Sequence, residues 1–330
     1  MHVLTRFFNY LKRIDFALAL TREHIDDRDL TDWYPSWMYE LMETDQARTQ
    51  PYRNAIRAAV AGKVVLELGT GRKALLAVYC AQAGAARVYA VEANRKAYES
   101  SLALVQSLGT GDIRLICGFS DQVQIPERCD VLVHDLVGDI GSSEGMIPFI
   151  ADARQRLLKP DAIHIPSRCT TLVVLAEDPK LTLAERALSY ALRGFRRFND
   201  LSFVRFFGFP HSSALSGPQV FEDFILGRSS ELQTTKQLTF EVRRDGNLRG
   251  VCFYIRLQLG EAEVIDTWES QTSWSTPYVR LAANTPVRKG DLIDMSVESD
   301  LSGNPSYSFK LTRTADGLTS EIGRHTWSGD

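Results

Sequence analysis

The chain has 330 residues, of which 44% are hydrophobic, and it is long enough to bury one large core or two that share an interface. Its 38 basic residues against 41 acidic ones leave a net charge of -3 without a long run of like charge, so neither a nucleic acid nor a membrane is expected as a partner. An apolar stretch of about 18 residues, the length that a membrane helix needs, is not present in the sequence. The five cysteines follow no CxxC or metal-ligand spacing and predict reduced thiols in a cytoplasmic protein and no metal site: Cys80, Cys117, Cys129, Cys169 and Cys252.

Residues 1–60 are predicted to be a helical segment. Leu4, Leu11 and Leu18 are among the apolar residues that recur there at about 3.6-residue spacing and give a helix one apolar face. Such a face packs against another surface, either of this chain or of a partner subunit.

Between residues 61 and 166, apolar strands alternate with helical stretches. This alternation predicts a doubly wound parallel sheet with helices on its faces. The predicted strands are Lys63–Leu68, Arg87–Glu92, Asp112–Cys117 and Asp130–His134, and the predicted helices are Ala74–Ala83 and Arg95–Leu108.

After Pro166 the pattern changes to strands that are separated by Gly, Asn, Asp and Pro turns. Residues 167–330 are therefore predicted to form a β-barrel or a sandwich. One helical stretch, residues 181–198, interrupts these strands and is rich in arginine and aromatic residues. It is either an arm that protrudes from the barrel or a solvated surface helix.

The first strand runs directly into Gly69-Thr70-Gly71, a helical pattern follows, and Glu92 ends the next strand. Glycines at this point let a ligand approach the backbone, and the helix N-terminus offers free amide donors. A carboxylate at the end of the second strand can accept both hydroxyls of a ribose. Because the third glycine of the dinucleotide motif is absent, with Ala74 in its place, the pattern predicts an adenosine-containing cofactor without choosing between the known kinds.

The segment LELGTGRKALLAVYCAQAGAARVYAVEAN resembles the first motifs of class I methyltransferases, and most closely those of the protein arginine N-methyltransferases. This resemblance implies S-adenosylmethionine (AdoMet) as the cofactor. It also implies an α/β Rossmann-like methyltransferase domain followed by a β-barrel domain with a helical dimerisation arm, in which residues 181–198 are the candidate arm of a homodimer.

Upstream, MYELMETDQARTQPYRNAI resembles the family segment that folds over the cofactor. The resemblance implies that Arg48 holds the carboxylate of the cofactor's methionine part and that Met42 lies near the sulfonium and the acceptor nitrogen. It also implies that Ser120 and Asp121 hold the adenine edge, although the sequence fits turn residues there equally well. Arginine suits bidentate carboxylate binding. Tyr39 belongs to an aromatic group that either forms a wall for a cationic centre in the substrate pocket or packs as ordinary helix residues.

The segment DVLVHDLVGDIGSSEGMIPFIADARQRLLKP resembles the family's two-carboxylate hairpin, especially as it occurs in the branch that stops at monomethylation. The resemblance places Asp135 and Glu144 at the two acidic positions. Two carboxylates can grip the planar fork of a guanidinium with charge-assisted bonds and localise its charge. The opposite nitrogen then regains lone-pair character, so positioning and electrostatics supply most of the catalysis.

The sequence departs from the family pattern at three places. Asp135 stands where the family has glutamate, Lys73 replaces a small glycine, and Ser273 in Thr272-Ser273-Trp274 replaces a histidine. Trp274 is still expected to line the acceptor pocket. His134 is expected to be a satisfied core residue with no catalytic part.

These observations predict an AdoMet-dependent N-methyltransferase that acts on the guanidino group of arginine. Protein-modifying members of the family need a groove for a chain, whereas close relatives in bacterial specialised metabolism methylate free L-arginine. Free L-arginine is favoured over a peptide or protein arginine because the chain is compact, the loop histidine is missing and one hairpin acid is shortened. A catalytically silent AdoMet-binding partner and a methyltransferase for another nitrogen acceptor are the alternatives. The two retained acids of the hairpin argue against the silent partner.

Overall fold

The computed structural model describes residues 36–179, 203–315 and 318–328. The predicted amphipathic helix near the N-terminus and the predicted arm at residues 181–198 lie outside this part of the chain, and both stay predictions. From residue 36 onward, two helices precede the first strand, and the first of them is short: α1 is Ser36–Thr44 and α2 is Gln46–Ala59.

A five-stranded parallel sheet follows, in the strand order β3-β2-β1-β4-β5. Its central strands are almost wholly buried because helices cover both faces, which explains their continuous apolar sequences. The elements are β1 Val64–Leu68, α3 Leu75–Gln82, β2 Arg87–Glu92, α4 Arg95–Leu108, β3 Ile113–Cys117, β4 Cys129–His134, α5 Met146–Arg156 and β5 Leu158–Ile165. The four predicted strands and both predicted helices agree with these bounds to within a residue.

Ten antiparallel strands make up the rest of the described chain, beginning directly after the cis Ile165–Pro166 bond. They form a sheet in the order β7-β12-β10-β6-β8, with β11 on β10, and a second sheet in the order β15-β14-β13-β9. Contacts of β12 with β15 and of β8 with β9 join the two sheets into a barrel. The strands are β6 Arg168–Ala176, β7 Phe203–Phe206, β8 Gln219–Ile225, β9 Gln233–Glu241, β10 Gly246–Gln258, β11 Val264–Asp266, β12 Thr276–Val287, β13 Leu292–Asp300, β14 Ser306–Ala315 and β15 Leu318–Ser328.

The larger of two apolar clusters runs through both parts of the described chain, and the smaller one, which includes Phe209 and Tyr278, lies in the barrel. The larger cluster extends from the faces of the parallel sheet, for example at Leu66 and Leu132, into the barrel interior at Phe221 and Phe253. Of the five cysteines, four are buried, but Cys117 at the end of β3 is exposed and is not a core thiol. The fold is thus an α/β Rossmann-like sheet followed by a β-barrel, as the sequence predicts.

Candidate active site

Most of the residues singled out in the sequence meet at one edge of the parallel sheet. Gly69 follows β1, Glu92 ends β2 and Asp135 follows β4. The carboxyl ends of parallel strands share an edge, and the chain changes its winding direction between β1 and β4, where ligands bind in folds of this kind. The fold therefore creates the candidate site at this edge.

The backbone conformation of the loop after β1 favours glycine. Gly69 and Gly71 have φ angles of 75° and 68°, in the left-handed region that side chains rarely adopt. A Cβ on Gly69 would lie 2.7 Å from Cδ2 of Leu136, and a Cβ on Gly71 would lie 3.6 Å from the ring of Tyr39. Tyr39 thus contacts the glycine loop, on the side where the cofactor is expected.

Glu92 is held at the same loop by two backbone amides. Its Oε2 accepts a hydrogen bond from the Gly71 amide at 2.6 Å, and its Oε1 accepts one from the Asn94 amide at 2.8 Å. Burial raises the pKa of this carboxyl group, while the amides oppose the rise. Each oxygen keeps a second lone pair, so the group can accept further hydrogen bonds from a diol.

The turn after β3 is attached to helix α5. Arg156 donates to the backbone oxygen of Ser120 at 2.8 Å and to that of Val123 at 2.9 Å. Ser120 is buried, whereas Asp121 is exposed.

Met42, predicted to lie near the reacting atoms, is half-buried near the end of α1.

An ionic clasp fastens helix α1 to the glycine loop; we use this name for Glu43, Arg72 and Lys73. The Glu43 carboxylate accepts from Arg72 Nη2 at 3.1 Å and lies 2.8 Å from Lys73 Nζ. Lys73 is the residue that departs from the family's glycine. Its ammonium group points to α1, so the departure adds a contact between the loop and the helix above it.

Arg48 and Asp135, predicted to serve the cofactor and the acceptor separately, bind each other. Arg48 Nε donates to Asp135 Oδ2 at 2.8 Å, and Arg48 Nη2 lies 2.6 Å from the same oxygen. Burial lowers the pKa of the Arg48 guanidinium, but the charge of Asp135, with a smaller contribution from Glu144, raises it above its usual value overall. Both predicted acids therefore act on one guanidinium.

The loop Thr272-Ser273-Trp274 forms the floor under Arg48. The Arg48 guanidinium carbon lies 3.7 Å above the centre of the Trp274 ring, and Arg48 Nη1 donates to Ser273 Oγ at 3.1 Å. The indole Nε1 of Trp274 donates to Val137 O at 2.6 Å. Trp274 thus stacks on Arg48 and reaches the hairpin, and its expected place in the lining of an acceptor pocket stays a prediction.

The hairpin that carries Asp135 and Glu144 contains a third acid that the sequence reasoning missed. Asp139 is half-buried and accepts from the backbone amide of Ser275 at 2.7 Å and from the Ser275 hydroxyl. Arg205 Nε lies 3.3 Å from Asp139 Oδ2. The only sequence signal was the position of Asp139 between the two predicted acids, and this acid ties the hairpin to the barrel.

Two further residues near Arg48 were also missed. Tyr52 is buried in α2, and its hydroxyl lies 3.2 Å from Asp135 Oδ1 and 3.0 Å from the backbone oxygen of His134. Asp45 caps α2 and accepts the Ser273 amide at 2.6 Å. The helix-capping pattern of Asp45 was a readable signal, whereas nothing local marks Tyr52.

His134 is buried as predicted, but neither of its ring nitrogens has a hydrogen-bond partner among the described residues. The expectation of a satisfied core histidine was therefore wrong. Burial lowers the pKa of His134 to about 3, and the buried His164 on the neighbouring strand adds to this effect. The ring is neutral in the folded protein at every moderately acidic pH.

The burial of His134 predicts that the folded protein is less stable in acid. The unfolded chain takes up a proton at His134 below about pH 6.5 while the folded chain does not, so this residue makes stability fall as the pH drops from about 6.5 to 3. The free energy of unfolding falls in the unsubstituted chain when the pH is lowered from 6.5 to 5. We expect this fall to be smaller by about 2 kcal/mol in His134→Leu. Urea unfolding at a series of pH values checks this, and equal pH slopes for both proteins would contradict it.

The described residues contain neither a candidate metal site nor a candidate membrane-spanning helix. No group of three or more His, Cys, Asp and Glu side chains is arranged there to hold a metal ion. Within the same ranges, none of the helices has the length and apolar character needed to cross a membrane.

Comparison with known proteins shows which family the chain resembles. Residues 27–165 match the family model described as PRMT5 arginine-N-methyltransferase. The predicted family resemblance is confirmed. A probable protein arginine N-methyltransferase 6 from Arabidopsis thaliana is 36% identical over 146 residues, which cover 43% of this chain and 33% of the plant protein. The chain spans about a third of the length of the first curated relatives that it matches.

Two other similarities cover more of the chain. The arginine N(omega)-methyltransferase of Streptomyces achromogenes subsp. streptozoticus is 28% identical over 273 residues, which cover 78% of this chain and 74% of the relative. The structure of a Trypanosoma brucei PRMT1 enzyme-prozyme heterotetrameric complex with AdoHcy covers 88% of this chain and 97% of its own, at 19% identity and a TM-score of 0.74. The structural likeness extends the arginine methyltransferase fold over the barrel.

Proposed function

We propose that this protein is an AdoMet-dependent N-methyltransferase that acts on the guanidino group of arginine, with free L-arginine as the acceptor. The observation that carries the proposal is the contact of a hairpin acid with a guanidinium. Asp135 Oδ2 accepts from Arg48 Nε at 2.8 Å and lies 2.6 Å from Arg48 Nη2. Asp135 and Glu144 are the carboxylates with which the guanidinium of an acceptor would pair.

The residues at the carboxyl edge of the sheet fit AdoMet. Gly69 and Gly71 give the loop the left-handed backbone of a glycine turn, and Glu92 presents a carboxylate where a ribose would lie. Arg48 directs three of its five N–H donors to Asp135 and Ser273, and the other two remain for a carboxylate of the ligand. The matched Trypanosoma structure contains AdoHcy, the demethylated form of the same cofactor.

The chemistry then needs no strong base. AdoMet supplies, when bound, a methyl group on a positively charged sulfonium. Asp135 and Glu144 hold the acceptor guanidinium by charge-assisted bonds and concentrate its positive charge on the nitrogens that they contact. Tyr52 and Arg48 fix the direction of the Asp135 carboxylate, so the reacting nitrogen is positioned before reaction.

Free L-arginine is the acceptor that the pattern of relatives favours. The Streptomyces protein named arginine N(omega)-methyltransferase aligns with about three quarters of both chains. The plant relatives named for protein substrates align over a shorter part. A peptide or protein arginine is the second candidate, and those relatives are the observation that supports it.

Mass spectrometry tests the proposal. The purified full chain is incubated with AdoMet and either free L-arginine or an arginine-rich peptide, and AdoMet binding is measured separately by calorimetry. We expect free arginine to gain the mass of one methyl group. If only the peptide is methylated, the acceptor is an arginine within a polypeptide and not the free amino acid. If AdoMet binds but neither compound is methylated, the catalytically silent partner is favoured.

A further inference from the structure

A buried acid in the barrel touches the tip of the hairpin that carries Asp135 and Glu144. This acid is Glu222 of β8, whose side chain is 4% exposed. The Ser142 hydroxyl donates to Glu222 Oε1 and also lies 2.7 Å from the Tyr307 hydroxyl. Ser142 stands two residues before Glu144, so this contact joins the barrel to the acceptor site.

A second set of contacts seats the hairpin backbone on β6. Thr171 Oγ1 donates to Glu222 Oε2 at 2.9 Å and accepts from the Gly141 amide at 2.9 Å. A Cβ on Gly141 would lie 2.4 Å from Cys169 Sγ, so the glycine is needed for this close approach. Glu222 is thus connected to the hairpin at two successive residues, Gly141 and Ser142.

The hairpin is compact enough to pass a displacement from Ser142 to Glu144. A Cβ on Gly138 would lie 2.0 Å from Ser143 Oγ and 3.3 Å from Cγ of Glu144. The two arms of the hairpin therefore pack directly on each other. Because interiors packed in this way do not deform continuously, a shift of the tip changes where the Glu144 carboxylate points.

The environment of Glu222 explains why a buried acid is tolerated there. Burial raises the pKa of its carboxyl group, while hydrogen bonds from Ser142 and Thr171 oppose the rise. Among the described residues, none of the salt bridges includes this carboxylate. A buried polar group of this kind is costly unless hydrogen-bonded, and here its bonds go to the hairpin and to the strand that seats it.

We propose that Glu222 is a positioning residue for the acceptor site. Through Ser142 and Thr171 it fixes the tip of the hairpin, and the fixed tip holds the Glu144 carboxylate in the direction that binds the acceptor guanidinium. The role assigned to Glu144 rests on the proposed function. The anchoring of the hairpin by Glu222 does not, and it can be measured without turnover.

Four variants separate positioning from folding. Glu222→Leu keeps the volume but removes both acceptors, Ser142→Ala removes only the hydroxyl on the hairpin, and Glu222→Gln keeps an acceptor for Ser142. Asp223→Asn is the matched control, because Asp223 is the next residue of β8 and pairs with Arg168 on the outer side of the barrel.

We expect kcat on the arginine acceptor to fall roughly 10- to 100-fold in Glu222→Leu and in Ser142→Ala, since misplacement by about 1 Å costs on that order. Glu222→Gln should recover kcat to within about threefold of the original chain, and Asp223→Asn should equal it. The affinity for AdoMet should stay unchanged in all four, because the glycine loop and Glu92 do not contact Glu222.

Hydrogen exchange of residues 135–144 supplies the readout that is independent of activity. Glu222→Leu and Ser142→Ala should speed exchange in this segment and leave the glycine loop as it was. The proposal would be overturned if Ser142→Ala had the same exchange rates and the same kcat as the unsubstituted chain. If Glu222→Leu does not fold, the result for Ser142→Ala alone decides. If the original chain methylates no arginine acceptor, the proposed function fails, while the exchange rates still support or overturn the anchoring.

Discussion

Replacement of Glu144 by glutamine should lower kcat for arginine methylation by about 10²- to 10³-fold, because it removes one of the two negative charges that localise the positive charge of the acceptor guanidinium. Glutamine has the same size, and Glu144 is only half-buried, so folding should be unaffected. The affinity for AdoMet should remain within about threefold, since Glu144 belongs to the acceptor side. Steady-state kinetics on the acceptor identified by mass spectrometry, with calorimetry for the cofactor, checks both parts.

Glu298→Gln is the matched control for that experiment. Glu298 lies on β13 with an exposed side chain, so the same chemical change there should leave both kcat and cofactor affinity unchanged. A Glu144→Gln enzyme that works at the original rate would remove Glu144 from the clamp. The proposed chemistry would then have to rest on Asp135 alone.

The pairing of Arg48 with Asp135 predicts a large effect on stability. Arg48 is almost fully buried, and removing either partner leaves the other as an uncompensated charge in the interior. We expect Arg48→Met and Asp135→Asn each to lower the free energy of unfolding by about 3–5 kcal/mol. The double variant should lose clearly less than the sum of the two, because it leaves neither charge behind.

Urea unfolding of the four proteins measures this coupling. Arg168 and Asp223 provide the comparison, because they form an ion pair on the barrel with side chains 46% and 32% exposed. A cycle on that pair should give a coupling below about 1 kcal/mol. Additive losses at Arg48 and Asp135 would mean that the two residues are stabilised by separate partners.

Arg48→Met should also bind AdoMet more weakly, because it lacks the donors proposed for the cofactor's carboxylate.

The strands of the parallel sheet were predictable because most are buried on both faces. β1 and β2 read as continuous apolar runs, and their bounds agree with the sequence to within a residue. β5 was not predicted. It is an edge strand that begins Leu-Lys-Pro-Asp and is buried mainly at its ends, so neither apolar content nor alternation marks it.

The site was predictable only in part, for a similar reason. Glycines, an acid at a strand end and an acidic hairpin are local patterns, and they located Gly69, Glu92 and Asp135 along the chain. Which side chains bind each other depends on contacts between distant segments. Arg48 and Asp135 are 87 residues apart, and no local pattern in either segment shows that they meet.

The ionic clasp between helix α1 and the glycine loop affects how fast a ligand of the loop dissociates. Glu43 is largely buried whereas Lys73 is about half exposed, so the pair of Lys73 with Glu43 is the part of the clasp that contributes at most about 1 kcal/mol. Dissolved ions weaken this exposed pair more than the less exposed pair of Arg72 with Glu43. We therefore expect a ligand beneath α1 to dissociate faster as salt is added, while the apolar contacts of the sheet stay as they are.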